Sequence, residues 1–102
     1  MIKATDCMEK ALATFKERNV QYGDSYTRHG EVMHKLFPTP LVLKGDGVDA
    51  FNRLGVLNMI VSKLVRYCQN FNSPHIDSIH DLGVYAFILE ELDTNLKEKE
   101  TK

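Results

Sequence analysis

The stretch FNRLGVLNMIVSKLVRYC (residues 51–68), followed by SPHIDSIHDLGVYAFILEELD (73–93), decides how this chain folds. In both runs apolar residues recur every three or four positions, the period of an α-helix and not of a strand. In the first run Phe51, Leu54, Val56, Leu57, Ile60, Val61, Leu64, Val65 and Cys68 nearly encircle the helix axis. A helix apolar on most faces belongs at the centre of a fold or under a partner chain. In the second run Ile79, Leu82, Ala86, Leu89 and Leu92 form the main stripe. The break QNFNSP (69–74) is short, so the two helices are expected to lie antiparallel and side by side. Ser73 and Pro74 predict the start of the second, with serine as cap and proline in the first turn.

Working outward, the 51–68 run, the third helix in chain order, is expected to start near Asp49, a helix-capping residue type. Before it, Pro38, Pro40, Gly45 and Gly47 bracket Leu41-Val42-Leu43, a loop with an apolar middle that either covers the core or joins a subunit contact. Residues 26–37 read as a second helix with Val32, Met33, Leu36 and Phe37 on its apolar side, extended by Tyr26 and His29, and ended by Pro38. Residues 5–20 read as the first, capped by Thr5 or Asp6, with Cys7, Met8, Ala11, Leu12 and Phe15 on one face. Gly23 reads as its stop and Asp24 or Ser25 as the next cap. Residues 97–102 are charged and expected to fray. No stretch alternates as a strand would. The expectation is an all-α fold, a single domain over residues 1–96 built as a compact bundle of four main helices.

Composition narrows the function. At 102 residues and a net charge of −1, with basic residues scattered, the chain does not present the basic face a duplex nucleic-acid binder needs. No apolar run reaches the roughly 18 residues of a membrane span, so no membrane partner is expected. Cys7 and Cys68 lack metal-type spacing and fall at apolar-stripe positions, which predicts small buried thiols. No leader is read at the N-terminus, so the expected location is the cytoplasm.

Charges survive inside the two apolar helices, and a small domain buries few of them without a reason. Lys63 and Arg66 are three apart and share a face; Asp77, Asp81 and Tyr85 are spaced by four and share another, with His80 beside them. Antiparallel neighbours would bring the cations near the carboxylates. One reading is a salt-bridge cluster that ties the helices together. The other is a polar pocket in which Lys63 and Arg66 hold phosphate oxygens. Its aspartates would accept hydrogen bonds or hold Mg²⁺. Tyr22 and Tyr26 flank a polar turn with Arg18 and could stack on a base. The histidine pairs His29/His34 and His75/His80 are five apart, which places neither pair on one helix face, so no zinc site is expected.

The order R-x-x-Q-Y-G-D (18–24), then Lys63-x-x-Arg66, then H-x-D-S-x-x-D-L-x-x-Y-A (75–86) resembles small phage and prophage proteins of the nucleotide-modification-associated type. These are similar in turn to MazG-like all-α NTP pyrophosphohydrolases. The resemblance spans roughly residues 15–92. It implies a MazG-like helical bundle, oligomeric, with a nucleotide site between helices, in the host cytoplasm if the protein is phage-encoded. MazG-like hydrolases hold magnesium with a Glu-x-x-Glu on one helix and a Glu-x-x-Asp on another. The first helix here carries Ser62, Lys63 and Arg66 instead, and only Asp77 and Asp81 remain as ligands. That departure favours holding an anion over activating water. Three activities stay open at this point. The first is a cofactor-free binder that sequesters a nucleotide or cyclic-nucleotide signal and so counters host defence. The second is a Mg²⁺-dependent pyrophosphohydrolase with Asp77 and Asp81 on the metal. The third is a non-catalytic interaction module. The candidate ligand-binding residues are Arg18, Tyr22, Tyr26, Lys63, Arg66, Asp77, His80, Asp81 and Tyr85.

Overall fold

The computed structural model describes residues 1–22, 25–45 and 47–100, and the side chains of residues 20–22 and 25 lie outside that description. The described residues form four helices and no strand: α1 (Ala4–Tyr22), α2 (Ser25–Leu36), α3 (Gly47–Gln69) and α4 (Ile76–Glu100). No described helix is long and apolar enough to cross a membrane.

The fold is held by α3 against α4. Ala50, Val61 and Val65 of α3 and Ser78 of α4 are the buried residues, with Val61 only 2% and Ser78 1% exposed. Around them Leu54, Leu57, Leu82, Tyr85, Leu89, Leu92 and Leu96 are half-buried. Three ion pairs join the rods: Lys99 Nζ to Asp49 Oδ2 at 2.9 Å, Arg53 Nε to Asp93 Oδ1 at 2.6 Å, and Lys63 Nζ to Asp81 Oδ2 at 3.4 Å. They step forward along α3 as they step backward along α4, so the helices are antiparallel, as the short connection requires. α2 lies on α3, where His29 Nε2 donates to Asn58 Oδ1 at 3.1 Å.

Several boundaries differ from expectation, each for a local reason. α4 opens at Ile76 and not at Ser73-Pro74: the Ser73 amide is spent on a turn to Asn70 O, and His75 sits at the helix start, its Nδ1 sharing a hydrogen bond with Ser78 Oγ at 2.7 Å. Asp49 is not the α3 cap, because that helix begins at Gly47; it sits in the first turn and takes Lys99 instead. The turn into α3 uses Gly45 at φ +80°, a conformation that costs glycine nothing. At α1, Asp6 acts from inside the first turn, its carboxylate accepting the Lys3 amide at 3.1 Å, the return half of a capping box. Residues 97–100 of the charged tail continue α4, with Lys99 tied to Asp49 and Lys97 to Glu100, and residues 101 and 102 lie outside the described residues. Gly23 and Asp24, expected as stop and cap, lie outside the described residues.

The larger correction concerns compactness. The four expected helices are present, but the compact bundle is not: among the described residues α1 packs extensively on none of the others. The α1 face Cys7, Met8, Ala11, Leu12 and Phe15 is exposed along its length. Phe15 meets Tyr26 of α2 ring to ring at 6.3 Å, yet both remain largely exposed. Cys7 and Cys68 are therefore exposed thiols and not buried ones. α3 is not sealed all round either: Phe51, Met59 and Leu64 face outward, as do Ile79 and Ala86 of the expected α4 stripe. The radius of gyration is 17.5 Å, against about 13 Å for a compact chain of this length.

Because so few side chains are sealed, each one matters. Val61→Ala removes two methylenes' worth of packing from the α3–α4 seam and should cost about 2 kcal/mol, read as a lowered urea midpoint at unchanged slope. A cost near zero would show that the seam is not the stabilising contact.

Candidate functional site

The nine candidate residues fall into two places. Lys63, Arg66, Asp77, Asp81 and Tyr85 lie at the end of α3 and the start of α4 that the short connection joins. There the antiparallel packing does bring a cation to a carboxylate. Lys63 is 15% exposed and its ammonium reaches Asp81, which is 43% exposed, at 3.4 Å. Arg66 is half-buried one turn further on, and its main-chain carbonyl accepts Asn70 Nδ2 at 3.0 Å. Tyr85 is half-buried one turn beyond Asp81. Asp77 stands exposed in the first turn of α4, and His80 is exposed too. The spacing by four that aligned Asp77, Asp81 and Tyr85 thus runs from open surface into the seam.

The second place is the α1–α2 corner. Arg18 is exposed near the end of α1, where it lines a shallow groove with Cys7, Lys10 and Phe15. Tyr26 stacks its edge toward Phe15. Tyr22 ends α1, and its side chain lies outside the described residues. Pattern matching in sequence could group the two sets; the fold leaves them on different helix pairs.

Chemically, the α3–α4 cluster offers an ammonium and a guanidinium one turn apart beside a half-open carboxylate. An ammonium carries three donors, and Asp81 engages Lys63 at a distance longer than a tight charge-assisted bond. Such a group can exchange its carboxylate for a phosphate oxygen. Among the described residues no three histidine, cysteine or acidic side chains gather as metal ligands. A Mg²⁺ held by Asp77 and Asp81 would therefore need substrate oxygens to complete its shell.

Residue pattern alone missed a cavity of about 590 Å³ at the opposite end of the seam. The loop residues Leu41, Val42 and Leu43 line it against Leu54, Leu57 and Leu89, with the Arg53–Asp93 pair in its wall. None of the nine candidates lines it. The apolar middle of the loop was the one available signal, and it does lie over the helix pair as one of its two expected roles required.

The strength of the Lys63–Asp81 pair is measurable. With Asp81 nearly half exposed, a double-mutant cycle of Lys63→Met and Asp81→Asn should give a coupling below about 1 kcal/mol, smaller still in 1 M salt. A coupling above about 3 kcal/mol would mark a sealed structural bridge. Set against known proteins, the chain matches no family model, no curated protein and no solved structure.

Proposed function

We propose that the protein is a non-catalytic binder of nucleotide-type anions that acts as an oligomer and sequesters a nucleotide or cyclic-nucleotide signal, in the manner of a phage protein that counters host defence. The observation that carries this reading is Lys63. A lysine 15% exposed on the most apolar helix, with one carboxylate at 3.4 Å and an arginine one turn away, is poised to trade that partner for phosphate oxygens. The resemblance of residues 15–92 to nucleotide-associated proteins supports the ligand class, and Tyr26 with Arg18 supplies an exposed aromatic and cation at the α1–α2 corner. The replacement of the expected acidic pair by Lys63 and Arg66 supports binding over hydrolysis. The unpacked α1 supports assembly with further copies and is also what an interaction module would show.

Calorimetry against nucleoside mono-, di- and triphosphates and cyclic dinucleotides tests the reading. At least one class should bind, raise the melting temperature as a ligand of the folded state must, and lose about ten-fold or more in affinity on Lys63→Met. Silence across the panel would leave the interaction module. Pyrophosphate release that requires Mg²⁺ and is abolished by Asp81→Asn would establish the hydrolase instead.

A further inference from the structure

A folded chain of this mass should expose about 5,900 Å². This one exposes 8221 Å². The surplus, about 2,300 Å², exceeds the roughly 800 Å² per partner of a standard interface and reaches the obligate range. Exposed apolar side chains occur on every helix, and on two helices they line up as stripes. On α1 the stripe is Met8, Ala11, Leu12 and Phe15. On α4, away from α3, it is Ile76, Ile79, Val84 and Phe87, the last 74% exposed. Gly83 lies within that second stripe, and a Cβ built on it meets nothing within 4 Å.

We propose that α1 of one copy packs along the outward face of α4 of a second copy, the two helices parallel. The inference rests on the oligomeric part of the function proposed above and names the surface that part needs. A single offset aligns both stripes: Ala11 falls opposite Gly83, Phe15 opposite Phe87 and Ala4 opposite Ile76, and the two faces overlap along all of α1. Alanine over glycine lets the helix axes approach at the small end of the usual range. Charge decides the direction. Lys16 and Arg18 flank the α1 stripe, and Glu90 and Glu91 flank the α4 stripe one turn past Phe87, all four exposed. The parallel arrangement sets those cations against those carboxylates. The antiparallel one would carry Glu90 to the start of α1, opposite Ala4 and beside Lys3, and would leave Lys16 and Arg18 away from both carboxylates. Opposite charges at the rim fix register and partner more than they add affinity.

Two measurements on the full chain test this. In the first, sedimentation equilibrium should show self-association that Arg18→Glu and Glu91→Arg each weaken about three-fold or more, with the combined variant restored to within about two-fold of the parent. In the second, Ala11→Cys and Val84→Cys are placed together in a Cys7→Ser, Cys68→Ser background. Oxidation with diamide should then yield covalent dimers on a denaturing gel, and neither single cysteine paired with Asn52→Cys, an exposed position on α3, should do so. Ala11 and Val84 are both exposed, so the substitutions leave the seam intact. Self-association without rescue and without the cross-link overturns the α1–α4 docking and leaves the oligomeric reading standing. A monomer at every concentration overturns both.

Discussion

Everything in this molecule depends on the antiparallel seam between α3 and α4. Among the described residues it holds the buried side chains Ala50, Val61, Val65 and Ser78, and it carries the ion pairs Asp49–Lys99, Arg53–Asp93 and Lys63–Asp81. The apolar contact supplies the stabilisation, since removing apolar surface from water is the dominant favourable term in folding. The ion pairs are half-exposed and add little energy each. Their value is register: a slip of α4 by one turn would separate Asp49 from Lys99 and Asp81 from Lys63 together. The cavity at one end of the seam and the Lys63 cluster at the other are both consequences of where this register places the side chains.

The same seam explains why charge survives inside an apolar helix. Lys63 points across it to a carboxylate at the edge of water, so the ammonium keeps a partner without being sealed away. A fully buried pair would demand near-perfect geometry to repay its desolvation. A half-open one can be exchanged for a ligand anion at small cost. That is the physical basis on which a structural contact and a binding site can be the same four atoms, and it links the stability of the seam to the chemistry proposed for it.

Among the described residues a single chain seals few side chains. The conformational entropy of ordering four helices must be offset by apolar burial, and among the described residues α3 and α4 share one thin seam, α2 adds a smaller contact to α3, and α1 contributes almost none. Phe51, Val84 and Phe87 stand in water in the isolated chain. Val84 and Phe87 lie on a face that the proposed assembly would cover.

Helical periodicity, the break at residues 69–74 and the glycine-rich turn before residue 47 determined by themselves that the chain is all-α with four helices. These are local signals, set by backbone preference and by the spacing of apolar side chains along one segment. The juxtaposition of Lys63 with Asp81 was equally legible, because a short connection leaves two helices only one way to lie. What the stripes pack against was not legible, since periodicity reports that a face is apolar and not which surface covers it. Cys7 and Phe15 read as core for that reason and stand exposed. The separation of Arg18 and Tyr26 from Lys63, and the cavity under Leu41-Val42-Leu43, were likewise decided only by tertiary structure. Both follow from how helices distant in sequence dock, a competition among surfaces that no single stretch of the chain encodes.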